Sequence, residues 1–278
     1  MPTPDASEYT RKVKLQKNQS VIDTNKRNYF NQQFMSTATG IGLSNFLSKL
    51  TPYSEPNENI PSGGTGSMRF VGGGVLVQTN VSFATDANLL PGSGQFTVEW
   101  FQYYQDSDSN AIIFSIGTFP SNDLCVVYVG TTMFLFTDGA STSVSSAVTK
   151  NVWQHVAVVG DGGAPGSRNV RVYVDGVLKL TRTATYTINQ TDALRIGNQT
   201  DSSLANGNYA GLLTNFRWVV GSQVYTGNFT PPTNPLTAIP GTELLLLSSN
   251  GADVIKDSSI RNRTPTNTGV VFDTLTPF

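Results

Sequence analysis

The chain of 278 residues is short of several things that chemistry needs. It has one cysteine, Cys125, and one histidine, His155. A single cysteine excludes an intrachain disulfide, and its absence weakly favours assembly in a reducing compartment. One His and one Cys cannot supply a tetrahedral zinc site. Charged residues make up only 13%, with a net charge of −1, so no global field draws the protein to nucleic acid or to an anionic membrane. No stretch approaches the roughly 20 apolar residues of a membrane span. The opening Met1-Pro2-Thr3-Pro4-Asp5 has no apolar core of a signal peptide, so classical secretion is not expected. There is no Walker loop, and Gly72-Gly73-Gly74 lies in a β context without a following helix, so it makes no phosphate cradle.

What is abundant is Gly, Ser, Thr, Asn and Val, a balance that favours short strands joined by tight turns. The character changes near residue 66. Residues 1–66 read as an extended, partly helical N-terminal arm ending in the breaker-rich stretch Pro52 to Gly66. Asp5-Ala6-Ser7-Glu8 is a helix start, with Asp5 as N-cap and Glu8 three residues on. Tyr9 and Val13 share one face of that helix, surrounded by Arg11, Lys12, Lys14 and Lys17; Tyr29, Phe30 and Phe34 form a second apolar cluster. Such an arm has anchors but no core, and must find its burial on another surface. The basic residues come without the aromatic interleaving of a nucleic-acid motif, so no specific nucleic-acid partner is expected.

From Ser67 to Phe278 the period is two. Phe96, Val98 and Trp100 alternate with Thr97, Glu99 and Phe101. Val170, Val172 and Val174 lead into Asp175-Gly176, a two-residue hairpin signal, and then Val177 to Leu180. Leu124 to Tyr128 reads as a strand with Cys125 as a small buried residue. Many short strands with such turns predict an all-β domain, a sandwich or barrel. Trp100, Trp153 and Trp218 are expected in the core.

Several segments in order resemble the laminin-G-like branch of the concanavalin A-like jelly rolls. They are Ser67-Met68-Arg69-Phe70 with Val75-Leu76-Val77, Phe96 to Phe101, Trp153 to Val159, Val172 to Gly176, Leu194-Arg195-Ile196-Gly197, Tyr209 to Arg217, and Thr226 to Pro232. The resemblance implies a two-sheet antiparallel jelly-roll sandwich over residues 67–278. Asp5 to Lys12 resembles the opening of structural proteins from large DNA viruses, which implies a virion component assembled in the host cytoplasm.

The same fold hosts glycoside hydrolases, which need two carboxyl groups about 5–5.5 Å apart in the retaining case. The resembling hydrolases place them as E-x-D-x-x-E on one strand. Residues 67–278 contain only two glutamates, Glu99 and Glu243, and neither lies in that pattern. His155 reads as a structural strand residue. An enzyme is therefore not expected. Laminin-G-like relatives hold calcium at a loop rim, for which Asp138, Asp161 and Asp201, with Asn206 and Asn208, are the residues of the right type. Asp and Asn in turns more often cap local backbone, and that is the expectation here. Phe101 and Tyr103 point away from Trp100; exposed, they would stack on a sugar or a partner, but a covering loop or the arm is expected to bury them.

Two readings follow. In the first the protein is a non-enzymatic structural part of a virus particle, a minor capsid component whose arm ties the sandwich to other capsid or assembly proteins. The second is a carbohydrate-binding or adhesion module on a viral or bacterial surface, with a glycan as partner.

Overall fold

The alternation around Trp100 seeds the architecture. In the computed structural model, which describes residues 66–278 except 72–78, 85, 106–109, 118–122, 190–192, 199–206 and 250–254, strand β3 (Gln95–Tyr104) turns Phe96, Val98 and Trp100 into the core. The chain divides into two units, Met1–Glu58 and Asn59–Phe278; the second is described. The expected arm helix and the arm residues Tyr9, Arg11, Lys12, Val13, Lys14, Lys17, Tyr29, Phe30 and Phe34 lie outside the described residues.

The remaining strands are β1 (Ser67–Phe70), β2 (Asn80–Phe83), β4 (Ala111–Ile116), β5 (Leu124–Val129), β6 (Thr132–Thr137), β7 (Ala140–Val144), β8 (Trp153–Asp161), β9 (Arg168–Val174), β10 (Val177–Ala184), β11 (Leu194–Ile196), β12 (Gly211–Val220), β13 (Thr242–Ser248), β14 (Ile255–Asp257), β15 (Thr266–Thr268) and β16 (Val271–Asp273). No helix occurs among the described residues, and none there is long and apolar enough to cross a membrane.

The strands form two antiparallel sheets. One runs β10-β9-β8-β3-β12-β1-β16, with β13 also on β12 and β14 on β13; the other runs β15-β2-β11-β4-β5-β6-β7. This is the two-sheet jelly-roll sandwich that the family resemblance implies. Between the sheets lies one core rich in aromatic rings. Phe114 meets Trp100, Phe216 and Trp218 edge-on, at centroid separations of 5.6 to 5.8 Å, the arrangement that ring quadrupoles favour. One polar side chain enters this core with its carbonyl satisfied: Gln102 Oε1 accepts from Trp100 Nε1 (2.9 Å) and Tyr128 Oη (2.8 Å). Cys125 is fully buried, and burial pushes its thiol pKa up.

Two local devices decide what faces outward. The Asp175-Gly176 turn has φ of 50° and 74°, the left-handed pair a type I′ hairpin requires. In β12 the register shifts between Thr214 and Arg217, with Asn215 at φ 54°. This bulge turns Phe216 into the core and Arg217 out; in plain alternation from Leu213 they would face the opposite ways.

Candidate functional site

Turned outward by these devices, the middle of the nine-stranded sheet carries charge. Glu99, on β3, lies between His155 and Arg217 from the flanking strands β8 and β12. Arg217 Nε and Nη2 donate to Glu99 Oε1 at 2.9 and 2.5 Å. Tyr225 Oη donates to Oε2 at 2.7 Å, and His155 Nε2 lies 3.1 Å from the same oxygen. A carboxylate oxygen only accepts, so Nε2 carries the proton. Glu99 is fully buried, and His155 and Arg217 nearly so.

The seal over this cluster is the strand-free segment from Gly221 to Gly241. Arg217 Nη1 donates to Thr237 O (2.7 Å), Leu236 N donates to Asn215 Oδ1 (2.7 Å), and Val224 N donates to Thr97 Oγ1 (2.9 Å). Its rings Tyr225 and Phe229 stack 3.5 Å apart and cover Ala157, Val159 and Tyr173. Phe229 N donates to Gly176 O (2.9 Å), so the strap also clasps the β9–β10 hairpin. Burial pushes the Glu99 carboxyl up, but the hydrogen bond from His155 and the charge of Arg217 outweigh it, and the net shift is below the ordinary 4.5. The acid is thus held ionised with both oxygens occupied.

Beyond the strap the same face is apolar. Phe101 is not exposed: Phe278 lies 4.8 Å from it edge-on, and Leu236, Leu245 and Leu247 complete its cover. With these groups packed on it, Phe101 is not available to stack on a sugar or a partner. Tyr103 is half-buried and pairs across the strands with Trp153, ring centroids 5.8 Å apart and tilted by 59°. Trp153 is likewise half-buried and outside the main core, which corrects its placement among the core tryptophans. It opens β8 one position out of phase with Val156 and Val158, and that parity puts it outside.

The calcium candidates are dispersed. Asp138 sits in the β6–β7 turn and accepts from Thr187 N (3.3 Å). Asp161 accepts from Asn169 N (2.7 Å) and pairs with Arg171 (3.2 Å). Asn208 bridges in the backbone to Ile112. Asp201 and Asn206 lie outside the described residues. No group of three or more His, Cys, Asp or Glu side chains suited to a metal ion occurs among the described residues.

Sequence reasoning missed the Glu99–Arg217 pair and the strap over it. The signal was there for the pair: Glu99 and Arg217 each sit between apolar neighbours on long strands. The strap has no periodicity to read.

A family model described as the concanavalin A-like lectin/glucanases superfamily, of the laminin-G type, matches residues 73–222. The chain belongs to this superfamily. No curated protein matches the sequence. Among solved structures, a heptameric SAP-like pentraxin from Limulus polyphemus is similar at a TM-score of 0.54 and 17% identity, covering 74% of this chain and 93% of that one. A candidate carbohydrate-binding protein from Bacteroides ovatus is similar at a TM-score of 0.56 and 16% identity; 77% of this chain matches 60% of that chain. At these identities the likeness is one of fold.

Proposed function

We propose that this laminin-G-type domain is a non-catalytic carbohydrate-binding module. The observation that carries the reading is the Tyr103–Trp153 pair, two tilted, partly exposed rings side by side where β3 ends and β8 begins. Aromatic faces are suited to the apolar face of a pyranose ring, while the rim of the ring stays free to hydrogen-bond. The carbohydrate-binding description of the Bacteroides ovatus protein supports the reading at the level of fold. The acid–histidine–arginine cluster does not favour catalysis, because Glu99 has no open side for a substrate. The alternative, a particle component tied in by its arm, rests on the arm, whose residues 1–65 lie outside the described residues.

The three tryptophans make the test direct. Trp100 and Trp218 are fully buried and Trp153 is not, so acrylamide quenches chiefly Trp153. A neutral oligosaccharide that binds the pair protects Trp153 from quenching. Tyr103→Ala weakens that protection about tenfold in affinity with its melting temperature nearly unchanged. If no member of a glycan array protects Trp153, the reading is wrong.

A further inference from the structure

The outer face of the other sheet carries a single charge. The seven strands β15, β2, β11, β4, β5, β6 and β7 contain one charged residue, Arg195, at the middle of β11. Leu194 and Ile196 on either side of it face the core, so Arg195 faces out. Its Nε is buried and has no hydrogen-bond partner. Arg263 Nε is likewise buried without a partner, but every other described arginine pairs its guanidinium through at least one nitrogen: Arg69 with Asp273, Arg168 with backbone carbonyls, Arg171 with Asp161, Arg182 with Thr137 and Thr142, Arg217 with Glu99, Arg261 with Glu243, and Arg263 with Asp86. A fold that gives each of its other guanidiniums a partner has left this one, the single charge of its sheet, for something else.

The register shows what surrounds it. Arg195 is opposite Ser82 on β2 and Ser115 on β4, and Ser82 is opposite Thr266 on β15. Val81 and Phe83 face the core, as do Phe114 and Ile116, so both serines share the outer face with Arg195. Thr266, Ser82, Arg195 and Ser115 therefore form one row across four strands, about 14 Å long at ordinary strand spacing. Thr266 is exposed and Ser82 and Arg195 are half-buried, while Ser115 is buried. Beyond Ser115 the row turns apolar through Cys125.

We propose that this row is a second ligand site, for a carboxylate-bearing saccharide. The open end of the guanidinium fork, Nη1 and Nη2, matches a carboxylate bidentately. Ser82 and Thr266, which both donate and accept, match the hydroxyls of the same ligand. One isolated cation suits a ligand with one localised charge; a nucleic-acid backbone calls for several Lys or Arg along its track, and these strands have none. The site stands independently of the Tyr103–Trp153 pair, on the opposite sheet.

The test uses the full chain, with trigalacturonate and its methyl ester as probes that differ in charge and not in ring structure, followed by calorimetry. The acid binds about tenfold or more tightly than the ester. Arg195→Gln brings that ratio to one, Arg195→Lys leaves a weakened preference, and Ser82→Ala weakens the acid a few-fold. Tyr103→Ala lowers affinity for neutral glycans and leaves the acid-to-ester ratio alone, which separates failure of this site from failure of the aromatic pair. A ratio of one in the unaltered protein overturns the proposal, and so does a ratio that Arg195→Gln leaves unchanged. Inorganic phosphate displacing the uronate at equal concentration overturns the saccharide class. Should Arg195→Gln fail to fold, the acid–ester comparison on the unaltered protein and on Ser82→Ala still decides.

Discussion

The outer faces of the two sheets treat charge in opposite ways. On the nine-stranded sheet, Glu99 is buried with every oxygen lone pair directed at a donor, and a strap closes over it. On the seven-stranded sheet, Arg195 is half-exposed and its buried Nε has no acceptor. The contrast separates two uses of an ionisable side chain on the same scaffold. A charge that is fully partnered acts as a fastener, since removing any member strands the rest in a dry environment. A charge left unpartnered adds no pairing to the fold and leaves its donors free for a ligand.

The largest effect comes from breaking the fastener. Glu99→Gln leaves the Arg217 guanidinium buried without a counter-charge, which costs about 3–5 kcal/mol. Guanidinium denaturation should show that loss, and limited proteolysis should show new cleavage between Gly221 and Gly241 if the strap releases first. Removing both charges together, by Glu99→Leu with Arg217→Met, recovers part of it, because no unpaired charge is left, while His155 Nε2 and Tyr225 Oη still lose their acceptor.

Acid attacks the same point more gradually. The carboxyl of Glu99 is held below its ordinary value in the folded protein, so the unfolded state binds its proton first as pH falls. Its contribution to stability is complete above about pH 5, then is lost as pH drops through the ordinary 4.5 towards the lower folded value. The denaturation midpoint of the unaltered protein should fall over that window. Glu99→Gln should show a flatter profile there, with the lowered carboxylates of Asp86 and Asp273 still contributing.

Next in size is the clasp on the hairpin. A Cβ at Gly176 would stand 1.8 Å from Phe229 O, and the backbone there has φ +74°. Gly176→Ala therefore meets both a clash and a strained conformation, at about 1–3 kcal/mol. The loss should appear in the melting temperature together with faster amide exchange at Phe229, whose N–H bonds Gly176 O.

How legible these features are in the sequence follows from their physics. The sandwich is readable because strand alternation is local: Phe96-Val98-Trp100 and Val170-Val172-Val174 state their own parity, and Asp175-Gly176 states its turn. Trp153 was misplaced because parity at the first residue of a strand is fixed by the partner strand, here through Tyr103. The Glu99 cluster joins residues 56 to 126 positions apart, and the bulge at Asn215 that aims Arg217 depends on pairing with β3. Neither has a local signature. Arg195 is visible in the sequence as the outward residue of Leu194-Arg195-Ile196. Its isolation becomes visible only when seven strands are laid side by side.

The smallest expected effect has the opposite sign, and it is the sharpest test of the comparison. If Arg195 serves a ligand and not the fold, replacing it with an apolar side chain of similar length should help the empty protein. Arg195→Met removes a buried donor that lacks an acceptor and keeps the methylene stem, so the ligand-free domain should gain about 1 kcal/mol. The equivalent change at Arg217 strands Glu99 and costs several times as much. Chemical denaturation of both variants side by side reads this directly. A loss of stability in Arg195→Met comparable to that of Arg217→Met would mean that both guanidiniums are fasteners, and the difference between the two faces would disappear.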